Sequence, residues 1–298
     1  MASDMSKILV AAGMFGYAFC GVKYICIPLY EHLLEKIQSL ETLRGIFIGI
    51  ENIIGYDILS QRTLNMWLLC AFTAYISVCF LCASLDFILP FSFKSQGKRS
   101  YFSATEWYQA IRLSMFNLLF VSWVVTIPVG FIWKDNSLLP SENEPISLSI
   151  ELMKYGTCAH VVEVWFYCTH YALHTPWLYC NIHKIHHRFK APVAAASVYA
   201  HPIEFIFGNL LGVVLGPILT KCHPMTSYIW VFNALSNTTG SAHSGFTILA
   251  GKAHDIHHQY FDYNYGVGTN ELIMIVKIRR KIRKPLYQIM FNYLTFSP

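Results

Sequence analysis

Charge is what this chain has least of. Only 13% of its 298 residues are charged, and mean hydropathy is +0.40. Soluble proteins carry about 25%. Met66 to Leu85 and Leu113 to Trp133 contain no charged residue, and each is long enough to cross a bilayer. A water-soluble fold is thereby excluded, and an integral membrane protein is predicted. Ile8 to Tyr30 is a third segment, interrupted by Lys23, which can snorkel to an interface. No small-residue cleavage site follows it, so it reads as an anchor. A disulfide framework is missing too. The nine cysteines lie mostly in apolar stretches, and the only C-x-x-C, Cys79 to Cys82, falls inside a span; they read as small hydrophobes. The net charge of +5 does not signal nucleic acid. Its basic residues gather at Lys94, Lys98, Arg99 and Arg112, and at Lys277 to Lys284, beside apolar segments, where they read as contacts to anionic lipid.

Loop charge sets the topology. Lys94 to Arg112 is basic and predicted cytosolic, whereas Asp135 to Glu144 is acidic, rich in turn residues and predicted lumenal. Ile146 to Thr169 is a weaker span carrying Glu151, Lys154, His160 and Glu163, so its polar face must pack inside protein or line a site. Phe205 to Leu219 and Met225 to Ala242 are short apolar helices joined by a tight re-entering hairpin, Lys221-Cys222-His223-Pro224. The fold class is all-α, an integral membrane helical bundle with a histidine-rich cytosolic cap. Residues 1–100 are a membrane-anchoring region with two extra spans and an irregular lumenal connection, 101–270 a catalytic domain, and 271–298 a basic, apolar tail.

What the chain does have is histidine. Eight of its thirteen histidines form His170-x-x-x-His174, His183-x-x-His186-His187 and His254-x-x-His257-His258. Residues three and four apart share a helix face, so each cluster can aim two or three ring nitrogens at one point. Neutral imidazole is a strong ligand for Fe, Zn, Cu and Ni. Eight nitrogens suit two metals with about four or five each, and no cysteine pattern competes. A lone histidine is more often a hydrogen-bonded core residue, but the repeated H-x-x-H-H spelling in apolar, aromatic sequence points to a metal centre. His243 and His201 are candidate additional ligands; His32, His160 and His223 lack partners at ligand spacing. Glu163 shares a helical stripe with Tyr167, His170 and His174, where it can orient a ligand from behind or make a polar helix contact. All-nitrogen ligation at a membrane surface suits iron and O2, acting on the unactivated C–H bonds of lipid. A membrane metal-binding or transport protein is the alternative of another class. It would spread its histidines along the spans, not gather them at one face.

The motifs HYALH, HKIHH and AHDIHH, with YAHPIE and AHSGF between them, resemble the fatty acid hydroxylase superfamily of membrane di-iron oxygenases over about residues 105–268. Residues 166–246 most resemble its methylsterol monooxygenase and fatty acid hydroxylase domain-containing branch. Pro176-Trp177-Leu178-Tyr179 is similar to cholesterol 25-hydroxylases, and Phe261-Asp262-Tyr263-Asn264-Tyr265-Gly266 to sterol C-5 desaturases. The resemblance implies a four-helix membrane core in the endoplasmic reticulum, two iron ions on the eight clustered histidines, and electrons from NAD(P)H through cytochrome b5 or a reductase. The expected activity is O2-dependent lipid hydroxylation, at a sterol C-4 methyl group. A fatty-acyl or sphingoid hydroxylase and a sterol C-5 desaturase are the alternatives within the superfamily. The chain departs from the pattern after the third cluster, where Gly266-Val267-Gly268-Thr269-Asn270 turns into a basic, apolar segment. Gly208, Gly212 and Gly216 recur every four residues and leave one helix face bare, either for close helix packing or to admit a flat ring system.

Overall fold

The computed structural model describes residues 13, 15–54, 61–97, 103–132, 139–249, 252–261 and 265–266. The start of the Ile8–Tyr30 segment, Lys98, Arg99, Asp135 and the 271–298 tail lie outside the described residues. Among those described, every regular element is helical, and the only strand-like pairing is one isolated bridge between Lys94 and Phe246. Besides the single turn Pro202–Glu204, the α-helices among these residues are α1 (Ile27–Ser39), α2 (Glu41–Ile54), α3 (Arg62–Ile88), α4 (Ala104–Met115), α5 (Ser122–Ile132), α6 (Leu148–Leu173), α7 (Pro176–Asn181), α8 (Leu211–Thr220), α9 (Pro224–Ser236) and α10 (Lys252–Tyr260). The connection between the N-terminal helices, expected to be irregular, contains α2.

Among the described residues, three helical stretches are long and apolar enough to cross a membrane: Arg62–Ile88, Ala104–Gly130 and Pro202–Thr220. The first two contain most of the charge-free runs. At 27 residues, α3 is about 40 Å long, more than the roughly 30 Å of hydrocarbon it would traverse. The second is α4 and α5 joined by a wide π-turn, Phe116–Val121. Ser103 caps its start: Ser103 Oγ accepts from the Glu106 amide, and the Glu106 carboxylate accepts from the Ser103 amide at 2.8 Å. The third begins three residues before Phe205 and runs through a π-turn into α8, so this arm of the hairpin is by itself long and apolar enough to span. The hairpin closes as expected. Lys221 takes a left-handed conformation (φ 46°), and His223 Nδ1 accepts from the Met225 amide to start α9.

The polar face of α6 is occupied by protein, as its composition requires. Buried Glu151 accepts from the His223 amide at 2.9 Å and from Lys154 Nζ at 2.9 Å. α9 packs along α3, where Trp67 Nε1 donates to Ser227 Oγ within a core that includes Met66, Tyr75, Ile229 and Phe232. The segment after the second histidine cluster is a buried loop whose carbonyls are capped by side chains of the neighbouring helices. Tyr75 and Ser114 donate to the Ala195 carbonyl, and buried Asn117 donates to those of Val198 and Ala200. All nine cysteines are unbridged.

One expectation changes. Lys94 is no lipid-facing cation: it is 7% exposed, and its ammonium lies 2.7 Å from Asp86. Of the two readings of the glycine stripe, close helix packing is the one found. A Cβ on Gly212 would overlap the Trp165 ring, and one on Gly216 would overlap the Cys158 backbone, because α8 lies directly against α6. Only Gly208 has room, its nearest neighbour being Glu204 at 3.9 Å. Gly212→Leu should therefore lower stability by about 1–3 kcal/mol through overpacking. Thermal unfolding in detergent checks this, and an unchanged midpoint would show that the face is open.

Candidate metal centre

The three histidine clusters come from separate elements. His170 is in the last turn of α6 and His174 follows it as the cap. The second cluster is a buried 3-10 turn, His183–Arg188, rather than the α-helix that spacing suggested, and the third is on α10. His243 ends the π-turn Asn237–Ala242 that follows α9. Their ring nitrogens assemble into two groups, each with its ligand atoms within 4.8 Å of one another: His170, His174, His183, His187 and His257; and His186, His243, His254 and His258. The groups adjoin, with the His187 and His258 rings 4.7 Å apart.

The two H-x-x-H-H motifs are thus used crosswise. In each, the residues four apart converge (His183 with His187, His254 with His258), and the third histidine serves the other group. Each cluster thus aims two nitrogens at one point, the lower of the two or three expected from its spacing. On α10, positions i and i+4 differ by about 40° and i and i+3 by about 60° in the opposite sense, so His257 is free to face away from His254 and His258.

The donor set fits metal on electrostatic grounds. In the five-histidine group the Nε2 atoms of His187 and His183 lie 2.9 Å apart, those of His257 and His187 3.2 Å, and those of His174 and His257 3.2 Å. In the other group the corresponding distances are 3.2 Å for His258 and His254 and 3.4 Å for His243 and His186. Several Nδ1 atoms meet carbonyl oxygens, to which a ring nitrogen can only donate: His186 to Tyr199, His243 to Thr238, His258 to Phe189 and His170 to Tyr265. A neutral ring donating from Nδ1 carries a bare lone pair on Nε2. His186 and His243 consequently aim two lone pairs at each other, which is repulsive without a cation between them. Buried His170 Nε2 has no hydrogen-bond partner. Nitrogens about 2.1 Å from one ion and about 90–110° apart lie about 3.0–3.4 Å from each other, close to the spacing found.

Support around the groups was only partly visible in the motifs. His183 Nδ1 faces Glu204 Oε1 at 2.9 Å, making buried Glu204 the carboxylate behind a ring; in sequence it stood out only as a neighbour of His201. Glu163 is buried beneath Gly266, where a Cβ would overlap its Oε1, one residue past the carbonyl that receives His170. An aromatic wall lines the five-histidine side, with Tyr265 4.9 Å from His174, Phe261 4.7 Å from His187 and Tyr179 5.7 Å from His174, ring centre to ring centre. His201 stands apart from both groups: its Nδ1 accepts from the Ile203 amide and caps the helix that follows. His223 is likewise a cap, and His160 bonds the Gly156 carbonyl.

Residues 156–273 match the fatty acid hydroxylase family. The chain is 40% identical over 112 residues to the fatty acid hydroxylase ahd1 of Mycosarcoma maydis, covering 37% of this chain and 29% of the relative. It is 33% identical over 177 residues to human fatty acid hydroxylase domain-containing protein 2, covering 57% and 52%. A Dictyostelium discoideum protein, provisionally named a methylsterol monooxygenase, is 27% identical over 200 residues, 62% and 71% of the two chains. The chain thus spans about half or less of the length of the first two. No solved structure matches it significantly.

Burial holds these rings neutral. It lowers the pKa of His186 to about 4 and those of His183 and His243 to about 3, and with neighbouring imidazoles it pushes His174, His187, His254 and His258 further down. All are deprotonated and ready to ligate at neutral pH. Between pH 6.5 and these values the unfolded chain binds more protons than the folded one, so stability falls as pH falls. Metal-free protein should lose thermal stability steadily below about pH 6.5, towards pH 4. A midpoint independent of pH across that window would contradict the buried, neutral assignment.

Proposed function

We propose that the chain, whose residues 156–273 match the fatty acid hydroxylase family, is a membrane-embedded, O2-dependent di-iron lipid hydroxylase. The observation that carries this reading is the two adjoining groups of buried, neutral imidazole nitrogens, with helices able to cross a membrane in the same bundle. His170, His174, His183, His187 and His257 would hold one ion, and His186, His243, His254 and His258 the other. Iron bound there supplies the O2 chemistry that hydroxylates an unactivated C–H bond, with two electrons per turnover drawn from NAD(P)H through cytochrome b5 or a reductase. The chain's own part is to fix the rings. Backbone carbonyls and Glu204 hold them from behind, and Tyr179, Phe261 and Tyr265 shield the five-histidine side from water.

The substrate proposed is a sterol C-4 methyl group, reached from the bilayer; it rests on the methylsterol monooxygenase resemblance. A fatty-acyl chain is the second reading. It is favoured by the 40% identical relative named as a fatty acid hydroxylase, and by the filling of the Gly212 and Gly216 face, which removes the flat-ring groove argued from sequence. Purified, iron-loaded protein with a competent electron donor should convert an offered sterol to its hydroxylated product in an O2-dependent reaction. His186→Ala, which removes one of four nitrogens, should abolish that turnover. Oxidation of fatty-acyl chains alone would leave only the oxygenase class. Folded protein with fewer than one transition metal per chain by elemental analysis would sink the whole reading.

The setting proposed is the endoplasmic reticulum membrane, with the histidines facing the cytosol. Glu151 and His170 stand about 28 Å apart along α6, close to a hydrocarbon thickness, and Glu151 sits at the end where Glu142 accepts from Tyr228. Arg112 and the basic pair Lys98 and Arg99 lie on the histidine side in sequence, and Glu142 and Glu144 beyond the next span. In microsomes a glycosylation tag at exposed Ser141 should be modified and one after Lys190 should not; the reverse pattern would invert the topology.

A further inference from the structure

Residues 91–97, between α3 and α4, lie outside the stretch that matches the family, yet they touch the centre's support on two sides. Lys94 is the hub. Its ammonium is 2.7 Å from Asp86 Oδ1, donates to the Ser244 carbonyl at 2.7 Å, and lies 3.8 Å from the ring centre of fully buried Phe246. The backbone joins in: Lys94 bridges to Phe246, the Ser95 amide donates to the Gly245 carbonyl at 2.9 Å, and Thr247 Oγ1 donates to the Phe93 carbonyl at 3.1 Å. These contacts hold the turn directly after His243. The second side is α10. Ser95 Oγ donates to Asp255 Oδ2, and Gln96 Nε2 donates to the Asp255 and Lys190 carbonyls. Asp255 stands between His254 and His257, so the only carboxylate of the third cluster faces this strap.

A buried lysine costs several kcal/mol unless its charge is compensated. Asp86 compensates it, and an apolar side chain would fill the place without that demand. What the charge adds is direction, since it draws one carbonyl, one carboxylate and one ring face to a common point. We propose that residues 91–97, through Lys94 and Ser95, are a strap that positions the four-histidine group. The two groups depend on it unequally. His243, His254 and His258 are three of the four ligands in one group and stand on the two strapped elements, whereas the five-histidine group draws only His257 from them. Loosening the strap should therefore weaken one metal position and spare the other.

This inference rests on the two-metal reading, and the test separates the two. Full-length protein in detergent is stripped of metal and titrated with Co2+, following the visible d–d bands and the stoichiometry. The wild type should take up two ions per chain; if it takes up none, the metal reading itself fails. Lys94→Met should keep one tight ion and bind the second about 10- to 100-fold more weakly, the range seen when support behind a ligand is lost. Ser95→Ala, which releases α10 alone, should weaken the same ion by less. The d–d bands of the remaining tight ion should match those of the wild type's tighter ion. Two ions bound at wild-type affinity in both variants would overturn the strap, and so would equal weakening of both ions, which marks general damage. If Lys94→Met does not fold, Ser95→Ala decides by the same criteria.

Discussion

Everything in this molecule is arranged around a set of desolvated lone pairs. An imidazole with one nitrogen donating to a carbonyl must show an unprotonated nitrogen on its far side, and burial forbids it to relieve the repulsion by taking up a proton. Carbonyls of Tyr199, Thr238, Phe189 and Tyr265 impose this on four rings drawn from four different elements. Two of these rings, His186 and His243, then meet Nε2 to Nε2 at 3.4 Å, a repulsive contact that a cation between them would relieve. The fold supplies the counter-pressure through the buried 189–200 loop, whose carbonyls are capped by Tyr75, Ser114 and Asn117, and through the aromatic side chains over the five-histidine group.

The two groups are not equivalent, and their difference follows from how they are held. The five-histidine group is built mainly on the end of α6 and the 3-10 turn after α7, under an aromatic wall. The four-histidine group depends on a π-turn, on α10 and on a loop some 150 residues earlier in the chain, which is tied down by the Lys94–Ser244 bond. Wide π-turns recur where functional residues must be re-aimed; here Asn237–Ala242 rotates His243 out of the course of α9 towards His186.

α6 links the hairpin to the metal centre. Its polar residues Glu151, Lys154 and Glu163 need protein partners, and the hairpin and the 265–266 turn provide them. Close approach of α8 to α6 follows from Gly212 and Gly216. The stripe thus seats the helix that begins beside Glu204, the residue behind His183. Packing at one end of the bundle in this way fixes ring orientation at the other.

Much of this was legible in the amino-acid order alone. Long charge-free runs require spans, because no water-soluble fold can hide so much apolar surface, and H-x-x-H-H spelled twice marks nitrogen ligands, because that chemistry needs those residues close together. The hairpin was legible as well, since Lys221 to Pro224 breaks an apolar run with turn and cap residues. What local pattern cannot encode is which nitrogens meet across the fold. The crosswise sharing of the two motifs, the entry of His243 and the withdrawal of His201 into a cap were decided by tertiary packing. So were Glu204 as the carboxylate behind His183, and Lys94 as a buried hub rather than a membrane-facing charge. Spacing along a chain sets which side chains can share a face, but the partner opposite that face is chosen only when distant segments are brought into contact.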